Sequence, residues 1–326
     1  MWPFDITLPL MRIVKLIEVK SEIGAGTRGA SLGIDAIKIA AMDFGSLYFK
    51  KLKSVQILTE NEELFEPIIN HYAKHINAIY KLYQRITKEV GKVLKRKHFP
   101  LILAGDHSTA GGTIAGIKIA YPKKRLGVIW IDAHADIHSP YTTPSGNMHG
   151  MPIALSLGED NMECRVNDPI EETIMFWNKL KNKGGICPKI YYNDIFYVGL
   201  RDTEDEEDYL IKKHNIKCLS VNELRKKGVS RSADYILKKL DHCDLIYISF
   251  DVDSMDPKVS KGTGTPVARG LTEREAENFT SRLVRSPKVC CFEMVEVNPT
   301  LDKENTMAEN AFKILRKVTN ELTSVE

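Results

Sequence analysis

Three segments of this 326-residue chain place acidic and histidine side chains where apolar runs stop: Gly105-Asp106-His107-Ser108, Asp132-Ala133-His134-Ala135-Asp136 and Asp251-Val252-Asp253. They offer two imidazoles, His107 and His134, and four carboxylates, Asp132, Asp136, Asp251 and Asp253, as metal ligands. Around one divalent cation, four carboxylates would leave like charges crowded together; two such cations bring the ligand shell close to neutral. Asp132 and His134 are two residues apart, as are Asp251 and Asp253, and at an extended strand end that spacing turns both side chains to one side. Asp136 and His107 then come from the loops after their strands, and Asp132 and Asp251 are the carboxylates expected to bridge the ions. Taken singly, an Asp after a strand is often a helix cap and a lone His a satisfied core residue. Six ionisable groups gathered at buried strand ends would be costly without cations to pair them.

Oxygen and imidazole donors without thiolate suit Mn²⁺, two per subunit, with Fe²⁺, Co²⁺ or Ni²⁺ also compatible; zinc is less favoured and Mg²⁺ rarely takes two histidines. Paired ions lower the pKa of a shared water and orient it for attack, so the chemistry expected is metal-assisted hydrolysis.

The elements that must carry these residues alternate along the chain. Met11 to Val19, Ser54 to Thr59, Pro100 to Ala104, Leu126 to Ile131, Ile195 to Leu200, Lys217 to Val221, Leu245 to Phe250 and Cys290 to Val295 read as strands. Amphipathic stretches between them, Leu64 to Leu94, Thr109 to Ala120, Ser232 to Leu240, Glu273 to Val284 and Thr306 to Leu322, read as helices. The polar stretch from Glu159 to Lys189 reads as a long excursion. Alternation of this kind predicts the α/β class, a three-layer α/β/α arrangement with a mainly parallel central sheet, in a single domain over residues 1–326. Leu-Gly-Val-Ile-Trp-Ile and Leu-Ile-Tyr-Ile-Ser-Phe are apolar on both faces and belong at the sheet centre. All three metal segments follow strands, where ligands bind in open parallel sheets.

Composition excludes several classes. With 43% hydrophobic and 27% charged residues the chain is neither disordered nor fibrous. The 46 Lys and Arg against 43 Asp and Glu lie scattered on helical stretches, without the aromatic interleaving of nucleic-acid binders. None of the six cysteines forms a C-x-x-C pair, and no uncharged apolar run reaches membrane-spanning length. Met1 to Leu10 lacks the pattern of a secretory signal, so a cytoplasmic protein with reduced thiols, binding neither nucleic acid nor membrane, is expected.

Between the second and third metal segments, His138 to Gly150 is rich in hydroxyls, an amide and histidines, a composition suited to a polar ligand. The set Ala-Gly-Asp-His-Ser, Asp-Ala-His-Ala-Asp, Ser-Gly-Asn-Met-His-Gly, Ser-Phe-Asp-Val-Asp-Ser-Met-Asp-Pro, Gly-Thr-Gly-Thr-Pro and Glu-Val-Asn-Pro, running from about Leu101 to Leu322, resembles the ureohydrolase family, and arginases most closely. The resemblance assigns His107, Asp132, His134, Asp136, Asp251 and Asp253 to two manganese ions. It implies proton transfer by His149 and contact of Glu296 with a guanidinium. Thr143, Ser145 and Asn147 match positions that bind the amino-acid end of arginine, and Thr265 of Gly-Thr-Gly-Thr-Pro is grouped with them as substrate-binding. Two positions depart from the arginase pattern: His138 stands where an asparagine contacts the substrate carboxylate, and Glu204 where an aspartate receives the α-amino group. Residues 24–30 also differ from the common arginase opening, although a glycine-rich turn there can still border the pocket.

The resemblance thus implies hydrolysis of L-arginine to L-ornithine and urea, with Asp136 orienting the attacking oxygen, by a homotrimer or homohexamer. His138 and Glu204 keep open another guanidino or amidino substrate: agmatine, guanidinobutyrate, formimidoylglutamate or guanidine. A metal-binding sensor without catalysis is the alternative from another class. Arg201-Asp202 is expected to form a buried ion pair.

Overall fold

The computed structural model describes residues 12–323, so Met11 and the segment Met1 to Leu10 lie outside the described residues. Eight strands form one sheet: β1 (Val14–Val19), β2 (Ser54–Gln56), β3 (Phe99–Ala104), β4 (Leu126–Ile131), β5 (Ile195–Val198), β6 (Lys217–Leu219), β7 (Leu245–Asp251) and β8 (Val289–Val295). All eight fall on the apolar runs read from sequence. Every pairing is parallel, in the order β2-β1-β3-β8-β7-β4-β5-β6. The four central strands β3, β8, β7 and β4 therefore stand side by side although β3 and β8 are almost two hundred residues apart in the chain.

Eleven helices are described: α1 (Gly33–Asp43), α2 (Tyr48–Lys51), α3 (Ile76–Lys95), α4 (Ala110–Ala120), α5 (Pro152–Leu157), α6 (Glu171–Lys181), α7 (Asp205–Lys213), α8 (Val221–Lys227), α9 (Val229–Lys239), α10 (Glu273–Val284) and α11 (Thr306–Thr323). Alternate strand residues divide between two cores. Ile246, Ile248 and Phe250 join Phe292 and Met294 under α1 and α8 to α11, while Val128, Trp130, Tyr247 and Cys291 pack beneath α3 to α7. This is the three-layer α/β/α arrangement, with a sheet buried on both faces.

Two expectations need correction. The helix read over Leu64 to Leu94 begins only at Ile76; residues 61–65 form a short 3-10 turn, and Glu66 is extended, as the following Pro67 requires. Part of the Glu159 to Lys189 excursion is the helix α6, whose buried stripe is only Thr173, Trp177, Leu180 and Lys181, too narrow to stand out from its polar background. α1, α2, α5, α7 and α8 were likewise not read from sequence.

Immediately after β3 the chain passes so close to its neighbour that a Cβ on Gly105 would sit 2.0 Å from the Ser21 carbonyl oxygen. The Gly105 amide donates to Val19 and its carbonyl accepts from Glu296, so the backbone cannot shift aside freely. Gly105→Ala is expected to lower folding stability by about 1–3 kcal/mol through overpacking. Urea unfolding of the two proteins checks this; an unchanged midpoint would contradict the close approach.

Candidate metal centre and active site

The three metal segments share one local device. Ser108 N donates to Asp106 Oδ1 at 2.8 Å, His134 N to Asp132 Oδ1 at 2.7 Å and Asp253 N to Asp251 Oδ1 at 2.8 Å. Each strand thus ends in a turn closed by its aspartate on the amide two residues on. The expectation that Asp132 with His134, and Asp251 with Asp253, converge by strand alternation is corrected: the chain bends at residues 132–134 and forms a 3-10 turn at Val252–Ser254. Asp106 is one of these turn-closing residues, also accepting from Gly24 N at 3.1 Å.

All six expected ligands come together. His107 Nδ1 lies 3.0 Å from Asp132 Oδ2, 3.1 Å from Asp136 Oδ2 and 3.2 Å from Asp251 Oδ2. His134 Nδ1 lies 3.0 Å from Asp253 Oδ2 and 3.5 Å from Asp132 Oδ1. Ligand atoms of His107, Asp132 and Asp136 fall within 4.8 Å of one another, as do those of Asp132, His134 and Asp253. The two groups share Asp132, which offers one oxygen to each, the disposition of a bridge.

The electrostatics show what the cluster lacks. Burial, then Asp132, pushes Asp136 up to about 6; burial, then Asp253 and Asp132, pushes Asp251 well up, and Asp253 rises through burial and Asp132. Burial opposes the charged form of His107, yet contacts with Asp132, Asp136 and Asp251 outweigh it and raise its pKa well above the usual value. Protons are thus drawn into a site where carboxylates outnumber imidazoles. His107 Nδ1 and Asp132 Oδ2 are fully buried and, although 3.0 Å apart, neither is satisfied by a well-formed hydrogen bond. Buried polar atoms of this kind call for a partner, and divalent cations fit both the orphaned atoms and the excess charge.

Other residues fix the donors. His107 stacks on Trp130, centroids 4.0 Å apart and planes 5° from parallel, and its Nε2 meets Ser249 Oγ at 2.7 Å, leaving Nδ1 for a cation. Neither partner was read from sequence; the signal was a serine interrupting an otherwise apolar central strand. Thr265 lines the cavity, but its hydroxyl donates to Asp253 Oδ2 at 3.1 Å and so orients a candidate ligand. Arg201 makes no ion pair with Asp202. Its guanidinium donates to the carbonyls of Gly199, Asp253, Met255, Val267 and Ala268, tying the 253–268 loop to the end of β5, while Asp202 Oδ2 lies 3.6 Å from His134 Nε2. A guanidinium suits this role because its planar fan of five N–H donors can gather several carbonyls at once.

Above the cluster opens a cavity of about 410 Å³. His149 lines it and its Nδ1 contacts Glu296 Oε1 at 3.1 Å, the same oxygen that accepts from His107 N at 2.9 Å. Burial works against the His149 cation, but the Glu296 contact outweighs it and lifts the pKa to about 9. Glu296 and Asp136 both adopt left-handed backbone, φ 67° and 51°. Such strain in non-glycine residues gathers at functional sites. Thr143, Ser145, Asn147, His138 and Glu204 line the outer cavity. His138 Nε2 lies 3.3 Å from Glu204 Oε2 and 3.9 Å from Glu207 Oε2, and its Nδ1 3.1 Å from Thr142 Oγ1. The His138 contact holds Glu204 down to about 2, whereas burial, then Glu204, pushes Glu207 well up. Glu207 was missed in the sequence; its signal was the Glu-x-x-Glu spacing that caps α7.

Among the described residues no helix is long and apolar enough to cross a membrane. An arginase of Brevibacillus brevis is 32% identical over 312 residues, covering 94% of this chain and 97% of that protein. The solved arginase of Bacillus caldovelox superposes with a TM-score of 0.81 at 31% identity, over 95% of this chain and 98% of that one. The formimidoylglutamase of Bacillus subtilis, at 22% identity and a TM-score of 0.72, shares the fold. Together with an Arginase family model that matches residues 13–320, these likenesses establish that the chain belongs to the arginase family, metal-dependent hydrolases of the ureohydrolase type.

Proposed function

We propose that the protein hydrolyses L-arginine to L-ornithine and urea with two Mn²⁺ ions held by His107, Asp132, His134, Asp136, Asp251 and Asp253. The observation that carries this reading is the shared Asp132 between two ligand groups beneath a cavity whose outer wall holds Thr143, Ser145 and Asn147. When bound, the ions supply water deprotonated near neutral pH and positive charge against the reacting group. The donor set, oxygen and imidazole without sulfur, supports manganese.

The side chains divide the remaining work. Asp136, one of the cluster and lining the cavity, would also orient the attacking oxygen through a hydrogen bond. Glu296 Oε1 is committed to His107 N and His149; Oε2 has no hydrogen-bond partner among the described residues and is left to accept from a guanidinium N–H. His149, held protonated near neutral pH by Glu296, delivers a proton to the leaving amine as the C–N bond breaks. Thr143, Ser145 and Asn147 bind the carboxylate end, and Glu204 with Glu207 the ammonium. The resemblance to arginases also supports a homotrimer or homohexamer.

A second reading rests on the His138–Glu204 contact. An imidazole bound to a carboxylate at the outer wall alters how a substrate tail is read, which supports a ureohydrolase for agmatine, guanidinobutyrate, formimidoylglutamate or guanidine. Comparison of kcat/KM for these compounds and arginine on manganese-reconstituted protein is expected to favour arginine; preference for any other compound overturns the first reading.

Asp251→Ala is expected to drop bound metal below two ions per chain, measured by elemental analysis, and retention of both would exclude Asp251 as a ligand. Because the working form of His149 is the protonated one, and its pKa lies about 9, kcat should hold on the neutral side and fall as pH rises through that value. His149→Gln should lower kcat by roughly 10²-fold or more and abolish that alkaline limb, as loss of a general acid does.

A further inference from the structure

Asn147 can present either end of its amide to the cavity, and which end it shows decides whether it binds an acceptor or a donor. Lys74, at the start of the chain's approach to α3, settles this. Its Nζ donates to Asn147 Oδ1 at 3.0 Å, and its own amide donates to the Gly146 carbonyl at 2.8 Å, so the cation and the recognition loop are fastened together twice. The reversed amide would set N–H against an ammonium, donor against donor. With Oδ1 taken, Nδ2 has no acceptor among the described residues.

Gly26 flanks that nitrogen and brings no side chain against it. A Cβ at this position would lie 2.6 Å from Asn147 Nδ2 and nothing else of the protein comes as near. Gly26 is not needed for its backbone, which is not left-handed, but for the space it leaves. The surroundings are cationic: Lys74 makes no ion pair among the described residues, and Arg28 spends its guanidinium on the carbonyls of Glu22 and Ala25. Burial and then these two cations, partly offset by Glu63, depress the pKa of the neighbouring His75.

We propose that Lys74 is a specificity-determining residue that acts through Asn147, locking its amide with N–H toward the cavity so that this end accepts a carboxylate and not an ammonium. The inference rests on the amino-acid reading of the cavity given above. Lys74 lies outside the cavity lining, so it is a positioning residue: it selects substrates bearing an α-carboxylate over their decarboxylated counterparts.

Calorimetric binding of L-ornithine and 1,4-diaminobutane to manganese-reconstituted protein tests this, since the two ligands differ only by the carboxylate. Lys74→Met is expected to weaken ornithine binding by about tenfold, the worth of one charge-assisted hydrogen bond, and to leave the diamine unchanged. Lys74→Arg should restore the ornithine preference, and Gly26→Ala, which covers Nδ2, should lose it. An ornithine-to-diamine ratio in Lys74→Met equal to that of the wild type, with thermal midpoint and metal content unaltered, overturns the inference alone. A wild-type protein that binds the diamine as tightly as ornithine overturns the arginine reading and the inference with it.

Discussion

Mutual repulsion among Asp132, Asp136, Asp251 and Asp253 is the constraint on which this structure turns. Their oxygens crowd about His107 and His134 at 3.0–3.5 Å, in a place from which water is largely excluded. Charge held so close in a buried setting is unfavourable unless cations enter, and the orphaned His107 Nδ1 and Asp132 Oδ2 mark where they would sit. The affinity of such a site for divalent metal is the counterpart of the energy spent in gathering its ligands.

What resists that repulsion is the rigidity of the surroundings. The candidate ligands leave the ends of β3, β4 and β7, strands buried on both faces, and Glu296 follows β8 between them. Closed turns at Asp106, Asp132 and Asp251 fix the first residues after each strand. Arg201 clamps the loop that carries Thr265, and Trp130 with Ser249 fixes the ring of His107. The left-handed backbone at Asp136 and Glu296 costs energy that only such a framework sustains.

Farther out, the cavity wall is built from a different set of contacts. His138, Glu204 and Glu207 form one linked group, whereas Lys74 brings a cation to Asn147 of the recognition loop. The outer wall is thus made of residues other than those that gather at the strand ends.

The central strands were legible in the sequence because a strand buried on both faces has to be a short apolar run, whatever it pairs with; the edge strands β2 and β6, largely exposed, lie within shorter and more polar runs. The six metal-binding candidates and His149 were legible because acidic and imidazole groups stand out directly after such runs and match a family pattern. Helices such as α6 were not, since one narrow buried stripe carries little periodic signal. Nor could spacing alone give the turns that aim Asp132 with His134 and Asp251 with Asp253, because alternation predicts the same convergence from a different backbone. Strand order, the Arg201 clamp, the Ser249 contact with His107 and the Lys74 bond to Asn147 join residues tens to hundreds of positions apart. Only the packed sheet decided these, because hydrogen bonds between such distant groups exist once burial has brought them together and leave no mark in the local order of residues.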